Sequence, residues 1–254
     1  MTTKKSKFNR KLNRLYKSPW KIVKSLIYKN FNFLSVQKVK FDDNNSKIFV
    51  DLRTSSGLSF YRFGYWDSSL ELISSILEDG DVFIDAGANI GMYSLVAASR
   101  VGPNGHVISV EPTPEVANLL KRSISISHFE NCSIKNLALS DKKTKTKFYI
   151  IKGHNSLNSF NPVSKSDYAI NVEVDCMDNI ISSDDLERLK AVKLDIEGAE
   201  LDALKGAKNI INETRAYFFV EIVPERLSKF NSSKKDVYSF FEQNNYIKIE
   251  NEEW

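Results

Sequence analysis

Apolar positions along this chain switch between strand spacing and helix spacing, and the order of the switches predicts the architecture. The apolar run 82–84 (VFI) ends in Asp85, and a loop with Gly87, Asn89 and Gly91 follows. Residues 92–98 are then amphipathic, and a second run at 107–110 (VISV) ends in Glu111. Beyond it the two patterns alternate: helix 114–126, strand 132–139, an extended piece at 146–151, a polar loop at 152–167, strand 171–175, a helix around 183–189, strand 191–196, helix 199–210, strand 216–223, helix 234–244 and strand 246–250. Such alternation predicts an α/β fold with a doubly wound, mostly parallel sheet. Upstream, 47–53 and 58–63 alternate around Thr54-Ser55-Ser56-Gly57, which predicts a β-hairpin, and 68–78 reads as a helix stopped by Gly80. Phe8, Leu12, Leu15 and Tyr16, then Ile22, Val23, Leu26 and Ile27, recur at helical spacing on either side of Ser18-Pro19. Three units are expected: a helical extension over 1–40, a hairpin and covering segment over 41–67, and the α/β domain over 68–254.

Charge changes the picture at one end of the chain. Residues 1–41 hold twelve Lys or Arg and no Asp or Glu, whereas residues 42–254 carry 24 basic against 32 acidic side chains. A basic amphipathic segment reads either as a surface for an anionic membrane, glycolipid or polymer, or as helices whose apolar face docks on the domain and whose lysines are solvated. With 42% hydrophobic residues and no apolar run of membrane-spanning length, a cytoplasmic protein is expected, at most peripheral at a membrane. Cys132 and Cys176 are expected as free thiols, and no zinc-ligand spacing occurs.

Strand, glycine loop, helix, strand and acid are the parts of a nucleoside-binding unit. The loop lets helix N-terminal N–H groups point at a ligand, and the acid at the next strand end accepts ribose hydroxyls. A dinucleotide fingerprint has a second glycine to make room for a pyrophosphate; here that position is Asn89, and Asp85 precedes the loop. An acid there opposes a diphosphate and suits a cofactor with a cationic end, such as the ammonium and sulfonium of S-adenosylmethionine. In a doubly wound sheet, ligands sit beyond the carboxyl ends of the strands, which makes candidates of Asp85, Glu111, the segment Asn136 to Ser140, Asp195 with Glu197, and Glu221.

Taken in order, IDAGANIGMYSL, VEP, ALSD and KLDIEGAE resemble the FkbM family of S-adenosylmethionine-dependent methyltransferases over roughly residues 60–250, with GYWD at 64–67 and VEI at 220–222 also in keeping. The resemblance implies a Rossmann-like class I methyltransferase fold and O-methylation of a sugar, glycoconjugate or natural-product hydroxyl. It implies that Asp85, Gly87, Asn89 and Gly91 hold the methionine part, that Glu111 holds the ribose, and that Asn136, Leu137 and Ala138 flank the adenine. Tyr65, Trp66 and Asp67 would lie over the methionine end, where aromatic faces attract a sulfonium. One departure is that strand 246–250 is followed only by Asn251-Glu252-Glu253-Trp254, where this fold carries a final antiparallel strand.

Methyl transfer needs an acceptor oxygen aligned opposite the sulfur and, where required, relieved of its proton. Asp195 at a strand tip is the first candidate. Glu197 could accept the proton or share a divalent ion with Asp195, and Glu221 belongs to the same rim. The alternative for this turn is that Asp195 and Glu200 cap the following helix. His154, in the polar loop, is the histidine placed to act as a base. A partner is expected to be a small molecule or glycan, with nucleic acid disfavoured by the acidic balance of residues 42–254. Two alternatives stay open: an RNA- or lipid-associated methyltransferase using the basic arm, and a nucleotide-dependent oxidoreductase or epimerase. Asn89 and the lack of a Tyr-x-x-x-Lys pair argue against the second.

Overall fold

The computed structural model of the chain describes residues 19–40, 46–64, 68–151, 160 and 168–249. Ten strands are defined among them: β1 Val36–Lys40, β2 Lys47–Asp51, β3 Val82–Ala86, β4 His106–Val110, β5 Cys132–Lys135, β6 Ala138–Leu139, β7 Thr144–Ile150, β8 Tyr168–Asp175, β9 Leu189–Leu194 and β10 Tyr217–Val220. Five form one parallel sheet in the order β10-β9-β3-β4-β5. The chain therefore builds outward from β3 to β5 and resumes on the other side of β3 with β9. The order reverses between β3 and β9, which is where such a sheet opens a crevice at its carboxyl edge.

The central strand explains how the sheet is held. Every residue of β3 is buried, as expected for a parallel strand covered on both faces. Its period of two sends Val82, Ile84 and Ala86 into one apolar layer and Phe83 into the other, where the Met92–Val101 helix contributes Tyr93, Ala97, Ala98 and Val101. Asp85 points to the Phe83 side, where it sits with its register neighbours Ser109 and Lys193 and with Ser94 as a buried polar group within that apolar layer. A second, three-stranded sheet, β6-β8-β7, lies beyond β5. Among the described residues no helix is long and apolar enough to cross a membrane.

Four expectations are corrected. The hairpin pairs β2 with β1, not with 58–63. Thr54 accepts the Gly57 N–H and caps a helix, Ser55–Phe63, so the Thr-Ser-Ser-Gly stretch is a helix start, not a hairpin turn. Strand 132–139 divides into β5 and β6, which belong to different sheets. Helix 199–210 divides into Glu200–Lys205 and Lys208–Glu213 at Gly206, where the Ser140 carbonyl occupies the space of a Cβ. Residues 246–249 form no strand: Tyr246 packs on Phe218 and Phe241, while Ile247 and Ile249 face solvent without a pairing neighbour.

Candidate functional site

The glycine loop closes on protein more than on open space. Gly87, Asn89 and Gly91 all have positive φ, at 78°, 51° and 97°. A Cβ on Gly87 would strike the Asp195 carbonyl, and one on Gly91 the Leu120 side chain, so these glycines let the loop pack against β9 and the Pro114–Ile126 helix. Asn89 is a residue type that tolerates the left-handed region. Its backbone N–H donates to Glu111 Oε2 at 3.1 Å, and the Thr113 N–H donates to Glu111 Oε1 at 2.9 Å. Glu111 is thereby fixed by backbone from two loops, and burial pushes its carboxyl up to about 7 against those hydrogen bonds.

A cavity of about 410 Å³ opens at the switch point, a volume suited to a small-molecule ligand. One wall is Gly87 to Ile90, Glu111, Leu137 and Ala138; the other is Lys193, Asp195, Glu197, Glu221 and Arg226. Phe148 and Phe160 also line it, their rings edge to face at 5.3 Å between centroids. Three expected cofactor residues lie outside the wall. Asn136 turns away, its amide donating to the Glu111 carbonyl at 2.7 Å and tying the β5 end to the β4 end. Asp85 is fully buried beneath the loop; Oδ2 accepts from Ser94 Oγ at 2.6 Å, and Oδ1 has no hydrogen-bond partner. Gly91 starts the helix behind the loop. Tyr65, Asp67 and His154 lie outside the described residues.

Lys193 explains Asp85. Its ammonium is buried 3.7 Å from Asp85 Oδ1 and 3.3 Å from Asp195 Oδ2, with the Tyr93 ring 4.7 Å away. Burial alone would lower this ammonium, but Asp195 and Asp85 outweigh burial and hold it above its ordinary value. Burial likewise lifts Asp85, against Lys193 and the Ser94 hydroxyl. Sequence reasoning missed Lys193, although one lysine in the apolar run AVKLDI asks for buried partners.

The turn after β9 brings the other charges together. Glu197 sits at φ 60° and Gly198 at 107°, and a Cβ on Gly198 would meet the backbone of Arg226. That approach lets the Arg226 guanidinium reach Glu197 at 2.9 Å and also pair with Glu221. Holding a glutamate in the left-handed region costs about 1–3 kcal/mol, and such strain gathers at functional sites. Burial pushes Glu197 up to about 8, with Arg226 opposing and Asp195 and Glu221 assisting. Burial, the Asp195 charge and a hydrogen bond to Asp195 push Glu221 up to about 7. Burial would raise Asp195 too, but Lys193, the bond from Glu221 and Arg226 take it below the usual carboxylate range. The two carboxyls thus titrate as a coupled pair that shares one proton near neutrality. The capping alternative is met by Glu200 alone, whose carboxylate accepts from the N–H groups of Ile196 and Gly198 at 3.0 and 3.1 Å.

Asp195, Glu197 and Glu221 place carboxylate oxygens within 4.8 Å of one another, close enough to share a cation. Their counter-charge is nevertheless supplied by protein, Lys193 on Asp195 and Arg226 on Glu197 and Glu221. A divalent ion would have to displace the Arg226 guanidinium from both Glu197 and Glu221, so the set does not fit a resident metal.

Known proteins resemble the chain. The model of the methyltransferase FkbM domain matches residues 85–248, well over half of the chain. Methyltransferase 1 of Beauveria bassiana is 24% identical over 147 residues, 50% of this chain and 59% of that protein. A protein-L-isoaspartate O-methyltransferase of Methanothrix thermoacetophila is 34% identical over 58 residues, 23% of this chain and 28% of that one. The chain spans between 13% and 59% of the length of the curated relatives it matches. Among solved structures, precorrin-6y C5,15-methyltransferase from Geobacter metallireducens aligns with a TM-score of 0.43 at 14% identity, over 70% of each chain.

Proposed function

The chain belongs to the FkbM methyltransferase family, and on that premise we propose that it transfers a methyl group from S-adenosylmethionine to a hydroxyl of a sugar, glycoconjugate or hydroxylated natural product. One observation carries the reading: a single cavity joins the glycine loop and Glu111 to a carboxylate pair, Asp195 and Glu221, that holds a proton near neutrality.

The donor set fits that cofactor. Glu111 keeps lone pairs for two ribose hydroxyls, Leu137 and Ala138 offer apolar surface to a purine, and the backbone of residues 87–90 edges the cavity. Bound there, S-adenosylmethionine supplies an electrophilic methyl group on a cationic sulfur. Phe148 and Phe160 give an acceptor ring an apolar face to rest on, while the carboxylates accept from its hydroxyls. The Asp195–Glu221 pair takes the proton from the hydroxyl that becomes an ether. Lys193 and Arg226 act as positioning residues, holding Asp195, Glu197 and Glu221 in place. With 24 basic against 32 acidic residues beyond residue 41, the domain is poorly suited to tracking a phosphate backbone.

Calorimetric titration tests the cofactor half: saturable binding of S-adenosylhomocysteine, lost in Glu111→Ala, is expected. Heat with NAD and none with S-adenosylhomocysteine would overturn the proposal. Labelled methyl donor offered with glycan, lipid and nucleic-acid fractions tests the acceptor, with label expected in hydroxyl-bearing glycan or glycolipid.

A further inference from the structure

The helix Pro19–Tyr28 is turned inside out relative to an ordinary surface helix. Trp20, Val23, Leu26 and Ile27 recur at helical spacing along one arc, and that arc faces solvent, with Trp20 73% exposed. On the opposite arc Ser25 is fully buried, accepting from Arg62 Nε and donating to the Ile22 carbonyl, both at 2.7 Å. The apolar surface continues past the helix end through Phe31 and Phe33, whose rings meet edge to face at 6.0 Å and of which Phe33 is 81% exposed. Lysines frame it. Lys24 is exposed on the same helix, and Lys38 and Lys40 are exposed on β1. Residues 1–41 as a whole carry twelve basic side chains and no acidic one.

Contiguous exposed apolar surface marks a binding site, and its chemistry selects the partner. Trp20, Phe31 and Phe33 are side chains on which bases stack as well, but the aliphatic Val23, Leu26 and Ile27 between them gain only from an apolar medium, which favours lipid over RNA. A second copy would bring a like-charged cationic patch against this one, which argues against self-association. Exposed aliphatic and aromatic side chains in a segment rich in lysine match a bilayer interface, where apolar groups enter the acyl boundary and lysines meet anionic headgroups. We infer that this face, Trp20, Val23, Leu26, Ile27, Phe31 and Phe33 with their flanking lysines, docks the protein on the surface of an anionic lipid bilayer. Docking also positions the cavity. The helix packs on Ser55–Phe63, whose Ser56, Ser59 and Phe60 wall that cavity, so in a docked molecule two stacked helices, ~20 Å, separate the pocket from the lipid.

Vesicle flotation of the full chain tests this, using phosphatidylcholine alone and phosphatidylcholine with about one-third phosphatidylglycerol. Partitioning onto the anionic vesicles is expected to be at least about tenfold stronger, with about fivefold lost in each of Lys24→Glu and Lys38→Glu. The double variant Trp20→Ser/Phe33→Ser is expected to lose more than about tenfold, since both side chains leave the acyl boundary. Both residues are largely exposed, so its thermal midpoint and its affinity for S-adenosylhomocysteine are expected to be unchanged. Equal or no binding to the two vesicle types would overturn the inference, as would a Trp20/Phe33 variant that binds like wild type. Displacement from vesicles by single-stranded RNA at matched charge would assign the face to nucleic acid instead. A dimer in light scattering that dissociates in the same double variant would assign it to self-association.

Discussion

The two walls of the cavity are built by different means. On the glycine-loop side the backbone does the holding: positive φ at three positions closes the loop, and two N–H groups pin both oxygens of Glu111. On the β9–β10 side the holding is by charge, with Lys193 and Arg226 distributing themselves over Asp85, Asp195, Glu197 and Glu221. A wall held by backbone keeps one arrangement even as Glu111 titrates, whereas in a wall held by ion pairs titration changes the holding itself. The contrast suits a site in which one ligand is held the same way every turnover and the other must give up a proton.

The comparison breaks first at Asp195. If the charged wall performs the proton transfer, Asp195→Asn is expected to lower kcat by about 10²- to 10⁴-fold, with S-adenosylhomocysteine affinity nearly unchanged. A variant that kept its rate while losing the cofactor would place Asp195 on the other wall. Next in size is Lys193→Met, which leaves Asp85 buried without its cation. Removing one partner of a buried pair costs about 3–5 kcal/mol, so a large fall in the denaturant midpoint is expected. Lys193→Met combined with Asp85→Asn is expected to recover much of it. If the double variant were no more stable than the single, the pairing would not be what holds that layer together.

On the backbone wall, Glu111→Ala is expected to weaken S-adenosylhomocysteine binding by about 10- to 100-fold for each ribose hydrogen bond lost, at about 1.5–3 kcal/mol per charged hydrogen bond. It also strands the N–H groups of Asn89 and Thr113. Glu111→Gln, which keeps one carbonyl oxygen to accept them, is expected to retain more stability than affinity.

The same division governs what the sequence discloses. The backbone wall was legible because glycines, Asn89 and strand-terminal Glu111 sit within one local stretch whose conformational demands are written in residue type. The order of strands and helices in the domain was legible for the same reason, since burial on both faces leaves continuous apolar runs such as VFIDA. Arg226 reaches Glu197 and Glu221 only because Gly198 admits its backbone, and no spacing in PERL signals that. Asp85 was read as a ligand-facing acid. The pleat directs it into an apolar layer, and its partner Lys193 lies 108 residues away on the adjacent strand. The hairpin was misread because LSFYRF alternates like a strand, yet Thr54 caps a helix there.

Titration gives smaller, graded effects. Glu221, raised to about 7, must be unprotonated for its pair with Asp195 to accept a proton, so kcat/KM is expected to rise with pH through about 7. Arg226→Met removes a cation that opposes the rise of Glu221, and is expected to move that limb to higher pH. Stability should run the other way. Glu111, Glu197 and Glu221 have raised values when folded, so between about pH 4.5 and 8 the folded chain binds more protons than the unfolded chain. The stabilising preference is complete below the unfolded value and is lost as pH rises through the folded ones. The thermal midpoint is therefore expected to fall across that window, and to fall less in Glu197→Gln. A midpoint that rose with pH there would contradict the burial of these carboxyls.

The smallest expected effect is on metal. Three carboxylates within reach of one ion would ordinarily demand a cation, and here two side-chain cations meet the demand. Lys193 offsets Asp195, Arg226 offsets Glu197 and Glu221, and the proton shared by Asp195 and Glu221 removes a further negative charge near neutrality. Chelator and added magnesium are both expected to leave the methyl-transfer rate unchanged in the wild type. In Arg226→Met, where two carboxylates lose their counter-ion, added magnesium is expected to restore part of the lost rate. Loss of wild-type activity on chelation would mean that the charged wall is organised by an ion, and that Arg226 gives way to it during turnover.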